Sequence, residues 1–197
     1  MIGEFPQDLV VMALPMESQG VLEQAGVPVL YTGVGKVNAA YVLTRRLLQY
    51  RHAQVPLPRV LNFGTAGSRR HGAGTLVECR AFVQRDMDVS GLGVPVGTTP
   101  YEDMPPRIEV ASLLPDLPQS VCGSGDSFAI APGVLECDVV DMEAYALAKV
   151  CQLEGTAFTA VKYVTDGADE AAALDWRSNL HLAAELFLRT YERLRSS

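Results

Sequence analysis

Short, unbroken apolar runs alternate along this chain with longer stretches whose apolar residues recur at helical spacing. Asp8-Leu9-Val10-Val11-Met12-Ala13-Leu14 is continuous and too short for a buried helix, so it predicts a central strand covered on both faces. Pro15 ends it, and Glu17 falls in the next loop or helix start. Val27 to Thr32 predicts a second strand, Gly33-Val34-Gly35 a turn, and Lys36 to Tyr50 a helix. Arg59 to Phe63 predicts a third strand closed by Gly64-Thr65-Ala66-Gly67, and Thr75 to Gln84 a longer one. From Arg85 to Pro118 periodicity disappears and Gly and Pro accumulate. A loop of that length inside a compact domain is functional or hides a short helix.

Val121 to Gly125 predicts another strand. From Met142 the chain reads as a helix buried on most sides, with Ala144, Leu147, Ala148 and Cys151 on one face and Met142, Ala146 and Val150 on another. Ala157 to Val164 predicts the last strand, with Asp166 just past its end. Trp176 to Arg195 predicts a closing amphipathic helix that turns Leu180, Ala183, Ala184, Phe187, Leu188 and Tyr191 inward. Alternation on this scale predicts an α/β fold, a three-layer αβα sandwich around a central mixed sheet, with residues 1–197 as a single domain. No repeat, low-complexity tract or linker divides it.

Composition narrows the function. Hydrophobic residues make up 48% and charged residues 20% of the 197, a globular profile. The formal charge of −7 without a basic cluster argues against nucleic acid as a partner. Cys79, Cys122, Cys137 and Cys151 form no CxxC pair, and His52, His71 and His181 are scattered, so no metal site and no cofactor is expected. Reduced core thiols, the missing signal peptide and the missing membrane span predict a cytoplasmic protein.

Candidate chemistry collects at the predicted strand ends: Glu17, Gly33 to Lys36, Gly64 to Gly67, Asp126 and Asp166. Ligands of open α/β sheets gather outside the carboxyl ends of strands. The glycines fit neither a dinucleotide fingerprint nor a P-loop, and as a lone pair Gly33 and Gly35 read as a strand–helix turn. Glu143 is an anomaly: an acid in the first turn of an apolar helix gains from the helix dipole but still needs partners, either protein donors or a ligand's hydroxyls. Taken singly, Thr165-Asp166-Gly167 and Gly125-Asp126 read as turns and Glu17 as a helix-start acid.

Together these segments resemble the purine nucleoside phosphorylase/hydrolase superfamily, and within it the 5′-methylthioadenosine/S-adenosylhomocysteine nucleosidases. The carrying residues occur in the family's order: Ala13-Leu14-x-x-Glu17, Gly33-Val34-Gly35-Lys36-Val37-Asn38-Ala39-Ala40, Asn62-x-Gly64-Thr65-Ala66-Gly67 and Asp86-Met87-Asp88-Val89. Ser124-Gly125-Asp126-Ser127-Phe128, Val140-Asp141-Met142-Glu143-Ala144 and Thr165-Asp166 complete the set. The resemblance implies N-ribosidic hydrolysis of a purine nucleoside, with Asp166 protonating N7 and Glu17 orienting and activating the water. It gives the ribose hydroxyls to Glu143, with Met142 against the sugar, and the base to Phe128, Ala129 and Asp166. Thr65 and Lys162 fall near the water and C1′, and Val34, Val89, Leu92 and Pro100 form an apolar 5′ subsite. Relatives complete that subsite with a second subunit, so a homodimer is expected.

The sequence departs from the family in several places, among them Leu92 and Val94, which stand where the family often has aromatics. The segment between Glu17 and Gly33 is too short for the hairpin many relatives carry. The stretch from Pro100 to Val121 is trimmed, and Lys162 stands where bacterial nucleosidases often have Arg. A nucleosidase for another 5′-modified purine nucleoside such as futalosine, or a non-catalytic nucleoside-binding protein, remains an alternative. Neither loop at the attacking face, Ala13 to Gly20 or Leu61 to Thr65, carries an Arg to hold phosphate, which favours water as the nucleophile.

Overall fold

The computed structural model describes residues 5–127, 134–167 and 182–196. Eight strands form one mixed sheet: β1 (Asp8–Met12), β2 (Val29–Tyr31), β3 (Arg59–Gly67), β4 (Leu76–Gln84), β5 (Arg107–Glu109), β6 (Gln119–Ser124), β7 (Val139–Asp141) and β8 (Phe158–Asp166). The helices are α1 (Pro15–Ser18), α2 (Val21–Gln24), α3 (Lys36–His52), α4 (Ala144–Glu154) and α5 (Ala183–Arg195). Side chains alternate between two cores. Leu9, Val11, Val60, Ala160 and Val164 face the layer of α3 and α4, whereas Val10, Met12, Leu61, Val161 and Tyr163 face α2 and α5. Strands buried on both faces lose the polar alternation of a half-buried strand, which explains their unbroken apolar sequence.

The sheet also curls on itself. β3 pairs with β8, β8 with β4, β4 with β6 and β6 with β7. β7 then returns to β3 through Gly67 and Val140, so five strands close in a ring. β1 and β2 extend the sheet from β3, and β5 hangs on β4. One edge of β4 is shared by β8, along Leu76–Cys79, and β5, along Ala81–Val83, while its pairing with β6 shifts register between Cys79 and Ala81.

Several boundaries differ from the sequence expectation. The helix expected from Met142 begins at Ala144, because Val139 to Asp141 is spent on β7. β3 continues through its glycines to Gly67, and Asp166 is the last residue of β8 rather than a residue beyond it, since the two strands pair along that whole length. The segment from Arg85 to Pro118 holds a 3₁₀ turn at Ser90–Leu92 and the short β5, neither long enough to leave a periodic signature. Of the closing helix, residues 176–181 and the expected inward Leu180 lie outside the described residues; Ala183, Ala184, Phe187 and Tyr191 are buried as expected.

α5 is fastened to the sheet by Phe187, which stacks on Phe63 of β3 with ring centroids 5.4 Å apart. Both rings are buried. Phe187→Ala should therefore cost about 3–5 kcal/mol of unfolding free energy, the usual loss on truncating a core Phe. Urea titration of the purified variant reads this directly, and a loss below 1 kcal/mol would mean the helix is not anchored there.

Candidate active site

Every strand except β5 contributes from its carboxyl end to one cavity of about 260 Å³. Its walls are Ala13, Leu14 and Glu17 after β1, Val34 after β2, Thr65 in β3, Arg85 after β4 and Ser127 after β6. Val140, Asp141, Met142 and Glu143 come from β7 and the turn into α4, and Asp166 from β8. Glu17, Glu143 and Asp166, far apart in sequence, thus face the same space.

Each carboxylate is held by its own donors. The N–H groups of Ala13 and Leu14 donate to Glu17 Oε2 at 3.1 and 3.0 Å. The N–H and hydroxyl of Thr65 donate to its Oε1, both at 3.0 Å. Pro at the first position of α1 sets the helix start that points Glu17 back at these amides. The Thr165 hydroxyl donates to Asp166 Oδ2 at 2.8 Å. Glu143 occupies the N-cap of α4 yet does not cap it. The first amides of that helix go elsewhere: Ala144 N–H donates to Asp141 Oδ2 at 3.0 Å and Tyr145 N–H to Ser124 Oγ at 2.8 Å. Glu143 is free to turn to the glycine turn, where Gly35 N–H donates to its Oε1 at 2.8 Å. Gly35 has φ +96°, and a β-carbon there would stand 3.2 Å from Asp126 Oδ1, so glycine is required on both counts.

Lys162 lies beneath the cavity rather than in its wall. Its Nζ pairs with Asp141 Oδ2 at 2.8 Å, both side chains being almost wholly buried. Gly64 leaves room for this arrangement: a β-carbon there would stand 3.2 Å from Lys162 Nζ and 3.4 Å from Glu17 Oε1. Burial alone would raise the Asp141 carboxyl, but the Lys162 ammonium and the Ser124 and Ala144 donors hold it below its usual range. For Lys162, burial opposes the charge and the neighbouring Asp141 outweighs it, raising its pKa. Glu143 goes the other way. Burial, then the Asp141 charge, push it up to about 7 against the pull of Lys162 and the Gly35 N–H.

The remaining expected positions divide. Met142, Thr65 and Val34 line the cavity, whereas Val89, Leu92 and Pro100 do not, because the segment around the 3₁₀ turn runs outside its rim and exposes Leu92. Phe128 and Ala129 lie outside the described residues. Asp126 is a structural acid outside the cavity wall, accepting the Lys36 N–H at 2.8 Å beside the Lys36–Asp86 ion pair. Arg85 and Ser127 were missed. Arg85 donates to the carbonyls of Gly125 and Ser127, and its position at the end of a predicted strand was the available signal. Among the described residues no cluster of three His, Cys, Asp or Glu is set to hold a metal ion.

The raised Glu143 has a cost in stability. Between its ordinary value of 4.5 and about 7 the folded protein keeps a proton that the unfolded chain has released, so stability falls as pH rises through that window. Glu143→Gln should therefore raise the melting temperature at pH 8 relative to the parent and change it little at pH 4.5. Equal effects at both pH values would contradict the raised carboxyl.

The sequence profile of the phosphorylase superfamily matches residues 129–194. The 5′-methylthioadenosine/S-adenosylhomocysteine nucleosidase of Marinomonas sp. (strain MWYL1) is 31% identical over 189 residues, covering 84% of this chain and 79% of the relative. That of Geobacillus kaustophilus (strain HTA426) is 32% identical over 193 residues, covering 85% and 78%. Among solved structures, the Helicobacter pylori enzyme of the same name superposes with a TM-score of 0.80 at 22% identity, covering 96% of this chain and all of the other. Helicobacter pylori futalosine hydrolase superposes with a TM-score of 0.83 at 22% identity, covering 96% and 97%. The identity sustained over most of both chains, on a shared fold, places this chain in the 5′-methylthioadenosine/S-adenosylhomocysteine nucleosidase family of the phosphorylase superfamily.

Proposed function

We propose that the chain hydrolyses the N-ribosidic bond of a purine nucleoside, 5′-methylthioadenosine or S-adenosylhomocysteine, releasing adenine and a 5′-substituted ribose. The observation that carries this reading is the convergence of Glu17, Glu143 and Asp166 on one small cavity, each carboxylate held by a separate set of donors.

The roles follow from what the bond requires. Asp166 delivers a proton to N7, so the base leaves neutral as the N9–C1′ bond breaks. Glu17 takes a proton from the water whose oxygen bonds to C1′, with Thr65 fixing the carboxylate that does so. Glu143 accepts the ribose hydroxyls, Met142 packs on the sugar, and carboxylate charge nearby favours the oxocarbenium-like transition state. Phe128 and Ala129 receive the base, and Lys162 supports the attacking face from below. Of the residues expected at the 5′ subsite, Val34 stands in the cavity wall, and Val89, Leu92 and Pro100 lie outside it. A second copy of the chain completes the subsite: Val37, Tyr41 and Leu92 are 78%, 61% and 74% exposed, apolar surface that a homodimer would cover. Four unpaired cysteines suit the reducing cytoplasm. No helix among the described residues is long and apolar enough to cross a membrane.

Water is the nucleophile because the cavity offers phosphate little. Among the described residues only one arginine, Arg85, reaches its wall, and the Gly125 and Ser127 carbonyls already engage that guanidinium. Arg70 pairs with Asp138 instead. The likeness to futalosine hydrolase favours a second reading, a nucleosidase for that nucleoside.

Asp166→Asn keeps the shape and cannot deliver the proton, so release of adenine should slow by about 10²–10⁴-fold. Full turnover by this variant would remove Asp166 from the chemistry. In phosphate-free buffer the native protein should release the free 5′-substituted ribose at an unchanged rate. Strict dependence on phosphate, with a ribose 1-phosphate product, would make it a phosphorylase. A panel of 5′-methylthioadenosine, S-adenosylhomocysteine and futalosine, scored by free-base release, decides between the substrates.

A further inference from the structure

The buried pair beneath the cavity is joined to Glu143 by the shortest possible route. Asp141 and Glu143 flank Met142 on one turn, and Asp141 Oδ2 receives both Lys162 Nζ at 2.8 Å and the Ala144 N–H at 3.0 Å. The Ser124 hydroxyl donates to Oδ1 and accepts the Tyr145 N–H. One carboxylate therefore fixes the start of α4, the direction of Glu143 and the location of a buried cation. Both side chains are almost wholly buried, so salt screens the field of this pair much less than it screens surface charges.

From this arrangement we infer that Asp141 and Lys162 are positioning residues that set the charge state in which Glu143 meets its ligand. The inference rests on the reading of Glu143 as the acceptor of the ribose hydroxyls. Among the described residues the other charged groups facing the same space are Glu17 from α1, Asp166 from β8 and Arg85 just after β4, and Lys36 beside the glycine turn is engaged by Asp86. Asp141 raises the Glu143 carboxyl and Lys162 lowers it, so the two halves of the pair act in opposite senses on one group. A carboxyl titrating near neutral pH makes ribose binding sensitive to small changes in that balance.

The test is the acid limb of kcat/KM against pH. With Asp141→Asn, Lys162 remains and the anion is gone, so the limb should move down by about one pH unit. With Lys162→Met it should move up by a similar amount. Asp141→Asn paired with Lys162→Met should return it toward the parent, and Lys162→Arg should leave it in place. A residue that only caps the helix would lower kcat or the melting temperature without moving the limb in opposite directions. Unmoved limbs, or shifts of the same sign, would overturn the inference; if Lys162→Met does not fold, the Asp141→Asn arm decides alone. In the Glu143→Gln background any limb that remains belongs to Glu17, so Asp141→Asn and Lys162→Met must no longer move it in opposite directions; if they still do, the inference is overturned. If no nucleoside is turned over, the proposed function fails by itself. The pH dependence of the melting temperature then reads the Glu143 proton in the same variants without substrate, and the same opposite shifts are required.

Discussion

The ion pair between Asp141 and Lys162 is the constraint around which the rest is arranged. A charge taken out of water costs several kcal/mol unless it is paired and its remaining hydrogen-bonding capacity met. Here the ammonium enters from the central strand β8 and the carboxylate from β7. They meet where β7 lies between β6 and β3, the pairing that closes the ring. Once Asp141 is committed there, it also accepts the first free amide of α4. The closure of the ring, the capping of α4 and the placement of Glu143 all meet at this single buried contact.

The cavity is built largely from main-chain donors. Glu17 is held by three backbone N–H groups and the Thr65 hydroxyl, and Glu143 by the Gly35 N–H. Main-chain donors at strand ends are fixed by the sheet itself and need no side-chain ordering to hold a carboxylate in place. This fixes the direction of Glu17 and Glu143 within a small space. The glycines at positions 35 and 64 serve the same end by letting backbone and buried charge approach closely.

The short segment after β1 has its own solution. There the chain has two helices of one turn each, α1 and α2. They are tied by a polar cluster in which Ser18 Oγ donates to Glu23 at 3.1 Å and Tyr31 OH meets both Ser18 and Glu23. Burial and the Glu23 carboxylate push the Tyr31 phenol up to about 12, so it stays a donor at physiological pH. Glu17 is thus anchored by a local cluster as well as by the sheet.

Much of the molecule was already written in the chain. Apolar runs marked β1, β3 and β8 because strands buried on both faces must be apolar throughout. The helical periodicity of α3 likewise survives as sequence because one face meets the core. The acids Glu17, Glu143 and Asp166 were legible as polar residues at the ends of such elements. What the sequence could not carry was anything decided by pairing across the sheet. β5 and β7 have three residues each, fewer than any periodicity needs, and exist only because a neighbouring strand offers hydrogen bonds. The same holds for Lys162. As a residue in a strand it could have served the attacking water directly. Only the closed ring, by bringing β7 alongside β3, gave its charge to Asp141, because a buried ammonium takes the carboxylate that tertiary structure places within reach.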